Sequence, residues 1–248
     1  VVNLYFTRDQ MITTAKGVVL GKMKLPQRAV EIDIMAFVLR QLGITPIYQV
    51  RGKNATLEGG DFLPAGERVF IGQGLRTSEV AIKELLDNDV FGGADHGVKE
   101  VVVVKDHWNN QQEMHLDTHF NLINEKLAVS VADRVNCTAD LNKCLTADVY
   151  QWRGGWQLVN SEIDFNAYLS NAQVKVIPVS ADDQAKYGIN FLTTSRNQIT
   201  GVDGVSQAYK DALQREGVSA RWLDFTNLKL GFGAAHCTTQ VLVRQAIQ

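Results

Sequence analysis

The sequence predicts one α/β domain assembled from repeated strand–strand–helix–strand units. Three observations carry that expectation. Short β-branched runs alternate with helical stretches along the whole chain. Units of roughly fifty residues recur about four times. No low-complexity segment or linker divides the 248 residues. At 45% hydrophobic and 21% charged, a chain of this length has enough apolar residue for a substantial core.

The elements follow in order. Val1-Val2-Asn3-Leu4-Tyr5-Phe6 reads as a strand already under way, with no initiator methionine, which suggests a processed chain or a fragment. Val18 to Leu20 is a strand after a turn. Arg28 to Leu42 has helical spacing at Val30, Ile34, Phe37, Val38 and Leu42, and ends at Gly43, suited to a C-cap. Thr45 to Val50, Leu57 to Leu63 and Arg68 to Ile71 read as strands, Ser78 to Leu86 as a helix, and Glu100 to Val104 as a strongly β-branched strand. His115 to Ile123 alternates as a strand does, and Leu127 to Val131 follows as another. Ile163 to Leu169 reads as a helix, Val174 to Val179 and Asn190 to Thr193 as strands, Gln198 to Gly201 as a turn, and Ser206 to Glu216 as a helix stopped by Gly217. Two short apolar runs, Leu228 to Leu230 and Val241 to Val243, read as strands flanking a glycine-rich stretch. Asn136 to Asn160, rich in Asn, Trp and Gly, reads as a long loop or an insertion near a site.

A formal charge of −2 and a pI near 6.2 offer no basic surface for nucleic acid. No apolar run approaches a membrane span, and no signal peptide is evident. The cytoplasm is the expected location if Cys137 and Cys144 are free thiols; their pairing would argue for export.

Five places could carry chemistry. Cys237 follows Gly231-Phe232-Gly233-Ala234-Ala235-His236, where glycine lets a substrate approach the backbone closely. An accessible thiol there would be reactive, whereas a buried one would be inert. Asp9 ends an aromatic stretch and by itself is a turn residue. Glu58-Gly59-Gly60-Asp61 places two carboxylates between apolar Leu57 and Phe62, where they need partners. In a strand, His115, Asp117 and His119 line one face. That row is a solvated face, a zinc site, or a general acid/base histidine beside a cation-gripping carboxylate. Arg28 and Arg76 are surface residues or planar clamps for a carboxylate.

Taken together and in order, Asn3-Leu4-Tyr5-Phe6-Thr7-Arg8-Asp9, Arg28, Glu58-Gly59-Gly60-Asp61, Arg76, His115-Leu116-Asp117 and the run ending in His236-Cys237 resemble the arginine deiminase branch of the guanidine-modifying superfamily. The resemblance implies a pentein fan of ββαβ modules around a central site, formed by the whole chain as one catalytic domain and lacking the family's first module. It implies Cys237 as nucleophile, His115 as proton donor and then base, and Glu58 as the residue that orients His115. Asp9 and Asp117 would hold the guanidinium, and Asn3, Arg28 and Arg76 the α-carboxylate. No metal or cofactor is needed.

L-arginine is the implied substrate, with citrulline and ammonia as products through a Cys237 thiouronium. The arginine that the family usually carries five residues before the cysteine is replaced by Phe232. That departure leaves room for a peptidyl-arginine deiminase, and an amidinotransferase shares the chemistry. A metal-dependent hydrolase built on His115, Asp117 and His119 is the alternative of another class. A four-module fan would expose a face, so a partner chain or oligomer is expected to complete it.

Overall fold

The computed structural model describes residues 3–244; Val1 and Val2, read above as the start of a strand, lie outside the described residues. One plan recurs in four sheets: an antiparallel hairpin, a helix, and a third strand parallel to the second. In the first module β1 (Met11–Thr13) and β2 (Val18–Leu20) are followed by helix Val30–Gln41 and β3 (Tyr48–Gln49). The second runs β4 (Phe62–Ala65), β5 (Arg68–Gln73), helix Glu79–Asp87 and β6 (Glu100–Asp106). The third begins with β7 (Phe120–Asn124) and β8 (Leu127–Val131), then departs into a hairpin, β9 (Leu145–Trp152) and β10 (Trp156–Asp164). It returns through helix Phe165–Asn171 to β11 (Lys175–Val179), parallel to β8. The fourth is β12 (Leu192–Ser195), β13 (Gln198–Val202), helix Gln207–Arg215 and β14 (Ser219–Leu223). This is the α/β pentein architecture expected from the sequence.

Local chemistry sets the helix ends. Ser78, Asp164 and Ser206 each accept the N–H of the third helical residue, satisfying a donor that the helix cannot. Gly43 and Gly217 end their helices at φ +71° and +72°, where a side chain would be strained.

The second strands feed two cores at once because their side chains alternate in direction. Val69 and Ile71 of β5 pack with Val19, Leu57 and Leu85 between the first and second modules, while Phe70 packs with Phe120 and Phe165 between the second and third. β8 repeats this, with Ala128 in the second core and Val129 in a third with Ile177, Phe191 and Leu213. Each buried side chain of this size contributes about 1.5–3 kcal/mol, so neighbouring modules are held together by the strands that define them. β4 meets β7, and β7 meets β12, so the first strands of successive modules stand side by side.

Several expected elements differ. Residues 3–10 form turns, and the first strand starts only at Met11. Residues 136–160 are a disulfide-closed loop, Cys137–Cys144, followed by most of the β9–β10 hairpin. That hairpin adds to β6 and extends the second sheet to five strands. Because β10 runs to Asp164, the next helix begins at Phe165 and not at Ile163. Gln198–Val202 is a strand, not a turn. The apolar runs at 228–230 and 241–243 are a short 3-10 turn and irregular chain. They lie where side chains tie the two chain ends together: the Gln240 amide donates to the carbonyls of Arg8 and Met11, and Thr7 Oγ1 donates to Thr238 O.

Candidate active site

Each first strand is preceded by polar residues that converge on one centre. Asp9 stands before β1, Glu58 and Asp61 before β4, His115 and Asp117 before β7, and Asn190 before β12. The loop Ala234–Cys237 is pinned among them. Asn190 Oδ1 accepts the N–H groups of Ala234 (3.1 Å) and Cys237 (3.2 Å), and the N–H of Arg8 donates to Cys237 O (3.1 Å).

Glycine permits this convergence at two places. A Cβ on Gly60 would lie 2.8 Å from the His115 ring, and one on Gly233 would lie 2.4 Å from Phe6 and 3.0 Å from Cys237 Cβ. Neither position can carry a side chain without displacing a site residue.

His115 Nε2 bonds Glu58 Oε2 at 2.8 Å, and its Nδ1 faces Asp9 Oδ1 at 3.9 Å. Burial by itself disfavours the imidazolium, but Asp9, Glu58 and Asp61 outweigh it and hold His115 at about 10, protonated at neutral pH. Burial also pushes Glu58 upward, yet the bond and charge of His115 hold it below the ordinary carboxylate range. Asp9 moves the other way, raised chiefly by burial. Asp61, fully buried, is raised to about 7 by desolvation, and its oxygens accept Thr77 Oγ1 (2.6 Å) and the N–H of Leu116 (2.8 Å).

Cys237 is 6% exposed, so of the two states open from the sequence, an accessible or a buried thiol, the structure shows the buried one. Its Sγ lies 3.7 Å from Asp117 Oδ2, and the same oxygen lies 2.6 Å from Nδ1 of His236. Burial, then Asp117 and Asp9, push the thiol well above its usual pKa. Burial followed by Arg8 keeps His236 neutral, at about 4. The neutral ring donates its Nδ1–H to Asp117, which is held below the ordinary range despite burial.

Two carboxylate oxygens here, Asp9 Oδ1 and Asp117 Oδ1, are buried and have no hydrogen-bond partner among the described residues. The donors Nε and Nη1 of Arg76 are buried and unbonded as well; its Nη2 reaches Gln111 at 3.4 Å and Nη1 stands 3.8 Å from Glu58. Unsatisfied buried groups of both kinds in one enclosure mark a place that is complementary to a polar ligand.

Arg28 is placed differently from the carboxylate clamp that the resemblance implies. Its Nε and Nη2 bond Glu31 at about 3 Å and its Nη1 bonds Asp9 Oδ2 at 2.9 Å, so the fork braces the carboxylate face turned away from the orphan oxygen. Asn3 is half-buried, and its carbonyl accepts the N–H of Phe6.

The strand reading of His115 to His119 fails, and with it the proposed metal row. Residues Leu116–His119 form a helical turn, so residues two apart no longer share a face. His119 turns toward Asp106 (Nε2 to Oδ2, 4.0 Å) and is held neutral, at about 3, by burial and Arg134. Among the described residues, the group whose ligand atoms fall within 4.8 Å of one another is Asp9, Glu58 and His115. The Arg28 guanidinium already neutralises two of these, 2.9 Å from Asp9 and 3.8 Å from Glu58, which makes the set a poor host for a divalent ion.

Asn190 is not among the residues that the sequence singles out, and Asp61 and His236 stand there only within their motifs, with no role of their own. The repeat held the signal for Asn190, a polar residue two places before a first strand, as Asp9 is before β1.

A family model described as arginine deiminase matches residues 1–244. The arginine deiminase of Halobacterium salinarum is 28% identical over 319 aligned positions, covering 98% of this chain and 64% of that protein. The chain therefore spans under two thirds of the length of such relatives. Among solved structures, the N-terminal domain of cyanobacterial ArgZ covalently bound to a reaction intermediate superposes with a TM-score of 0.70 at 18% identity, covering 97% of this chain and 75% of that one. DDAH from Pseudomonas aeruginosa complexed with citrulline gives 0.66 at 14% identity, covering 94% and 74%.

Proposed function

The chain belongs to the arginine deiminase family, and from that premise we propose that it hydrolyses the guanidinium of L-arginine to citrulline and ammonia through a covalent Cys237 intermediate. The observation that carries this reading is the set of orphaned groups. Among the described residues Asp9 Oδ1 and Asp117 Oδ1 lack donors, and Nε and Nη1 of Arg76 lack a hydrogen-bond acceptor, which is the complement of an amino acid with a cationic fork at one end and a carboxylate at the other.

A guanidinium fixed between Asp9 and Asp117 offsets the negative charge that raises Cys237, and so favours the thiolate. The Sγ–Cζ bond forms, His115 gives its proton to a terminal nitrogen, and ammonia leaves as that C–N bond breaks. The neutral His115 then takes a proton from water, whose oxygen bonds to Cζ. Collapse expels the Cys237 thiolate and releases citrulline, and the remaining hydroxyl proton goes to ammonia. In this scheme Glu58 orients His115, Arg28 fixes Asp9, and Arg76 takes the α-carboxylate. A covalent intermediate on ArgZ and citrulline on DDAH are in keeping with the scheme.

Phe232 favours a second reading, a blocked or peptidyl arginine. It stands 79% exposed beside the Cys237 loop, where the resemblance calls for an arginine. The test is turnover of free L-arginine, an arginine peptide, and arginine with an added amine, followed as citrulline, ammonia and transferred amidino group. Citrulline from free arginine is expected. Transfer to the amine alone, or no product from any of the three, would overturn the proposal.

A partner chain is supported by helix Val30–Gln41, whose outer side exposes Val30, Phe37 and Val38 beside Leu42 and Ile47. The measured mass in solution tests this. The Cys137–Cys144 disulfide favours an oxidising compartment over the cytoplasm expected for free thiols. No helix among the described residues is long and apolar enough to cross a membrane.

A further inference from the structure

The centre built around Cys237 occupies the leading ends of β1, β4, β7 and β12. Along β4, β7 and β12 runs a further cavity of about 340 Å³, lined by Leu63 to Gly66 of β4 and its turn, Asn121 to Glu125 of β7 and its turn, and Leu192, Thr193 and Arg196 in and just beyond β12. None of Asp9, Glu58, His115, Asp117 or Cys237 lines it, but His236, whose Nδ1 bonds Asp117, does, so the two places adjoin at that ring.

Two other arginines line it. Arg8 is 3% exposed and donates only to neutral acceptors: Nε to His236 O (3.0 Å), Nη1 to Gln240 Oε1 (3.3 Å) and Nη2 to Thr239 Oγ1 (3.2 Å). Arg244 donates from Nε to Thr13 O (2.7 Å), and no acceptor for its two terminal nitrogens is present among the described residues. Neither guanidinium has an ion-pair partner within 4 Å among the described residues. The one acid lining the cavity, Glu125, sits 3.9 Å from the exposed Arg196. Arg8 and Arg244 also oppose each other: Arg244 is lowered to about 10 by burial and then by the charge of Arg8. Arg8 is a buried cation whose acidic neighbours, Asp117 and Asp9, lie beyond hydrogen-bond reach, and the half-buried Arg244 stands beside it; such a pair is costly without a nearer counter-charge. A planar fork satisfies its terminal N–H groups best with an oxyanion, either a carboxylate or a phosphate.

We propose that this cavity is an oxyanion-binding site, adjoining the Cys237 centre at His236 but separate from the space between Asp9 and Asp117, in which Arg8 and Arg244 together hold a small carboxylate or phosphate. The inference stands on the cavity and its unpaired charges and does not depend on the activity proposed above.

The test is calorimetric titration of the full chain with inorganic phosphate and, in a parallel arm, acetate, at constant ionic strength set with chloride. Saturable binding above the chloride background is expected, and the stronger arm identifies the source. Arg244→Gln should weaken it at least about tenfold, and Arg244→Lys, which keeps the charge and loses the fork, should weaken it less. Arg76→Gln should leave it unchanged, because that arginine belongs to the Cys237 centre. Thermal melts keep the result readable if binding is weak. The wild-type midpoint should rise with phosphate, whereas Arg244→Gln, relieved of like-charge repulsion, should melt no lower and show no anion response. Unchanged affinity in Arg244→Gln, loss of binding in Arg76→Gln, or no heat beyond chloride would each overturn the proposal.

Discussion

Nδ1 of His236 lies 2.6 Å from Oδ2 of Asp117, inside a site where both side chains are almost fully buried. The bond does two things. It satisfies one oxygen of Asp117, leaving Oδ1 as the free acceptor, and it helps keep that carboxylate ionised against desolvation. If Asp117 grips the substrate's guanidinium, His236 is the residue that positions it. Replacing His236 with Ala should lower kcat/KM for arginine roughly 10- to 100-fold, the worth of one hydrogen bond to a charged group. It should also move the acidic limb of the pH–rate profile upward, because Asp117 would protonate more readily. His236→Asn, which keeps an N–H donor, should recover part of both. A fall in thermal stability with no shift of the acidic limb would assign His236 a packing role only.

Alkali should weaken the fold through His115. Its folded pKa, about 10, lies above the unfolded value near 6.5, so its stabilising contribution is complete below about pH 6.5 and is lost as pH rises through 10. Asp61, raised by burial to about 7, acts in the same direction at lower pH: its contribution disappears as pH climbs from the ordinary carboxylate range through 7. Urea unfolding at successive pH values from 7 to 8, below the range where the raised Cys237 thiol adds to the slope, should show stability falling by up to about 1.4 kcal/mol per pH unit. The slope should flatten in His115→Asn, and an identical slope in that variant would place the lost proton elsewhere.

The buried thiol makes a further demand. With Cys237 raised by burial, Asp117 and Asp9, the protein without a bound cation should show no thiolate absorbance near neutral pH. Removing one of those negative charges should lower the thiol's pKa. Asp117→Asn should therefore alkylate faster with neutral iodoacetamide at a fixed mildly alkaline pH, even as it loses turnover. Cys237→Ser should cost at least about 10⁴-fold in turnover. Slower alkylation in Asp117→Asn would mean that access, and not charge, controls the sulfur.

Legibility of the fold and site followed the range of the forces involved. Helices with a cap at each end, such as Gln207–Arg215 between Ser206 and Gly217, were readable because propensity, periodicity and capping agree locally. Residues 116–119 are not legible locally, because the alternation of His115, Asp117 and His119 imitates a strand. Their helical turn is set by distant groups, with Asp61 accepting the N–H of Leu116 and Asn190 donating to Asp117 O. The β9–β10 hairpin was hidden for the same reason: β10 is largely exposed and takes its form from pairing with β9, which in turn adds to β6. Arg28 was seen from its type alone, and only its neighbours Glu31 and Asp9 show where its donors are spent.

The disulfide should matter for stability and little for the reaction. Cys137 and Cys144 are seven residues apart, a short loop whose closure is worth about 2.5 kcal/mol by chain entropy. It lies next to Arg134, which bonds Asp106, Glu113 and the carbonyl of Lys143. Replacing both cysteines with serine should lower the melting midpoint by several degrees and leave kcat/KM within about twofold, since none of these groups touches Cys237 or His115. A large loss of activity at unchanged stability would show that the loop is coupled to the site.

Phe232 brings the substrate question to a single side chain. It sits at φ +68° with its ring 79% exposed, a strained backbone for a residue that gains no burial in return. Its neighbours Gly231 and Gly233 pack against Phe6, which fixes the loop close to Cys237. Phe232→Gly should relieve the strain and raise stability by up to about 1–2 kcal/mol while leaving the preference between substrates unchanged. Phe232→Arg keeps the strain but adds a fork where the resemblance places one. It should lower KM for free arginine roughly tenfold, consistent with one added charge-assisted hydrogen bond, and should not improve an arginine blocked at its carboxylate. Equal gains for both substrates would show that the new charge acts by attraction at a distance. If the variant gains nothing with free arginine and loses turnover of the blocked form, the exposed ring itself is a contact for a larger substrate.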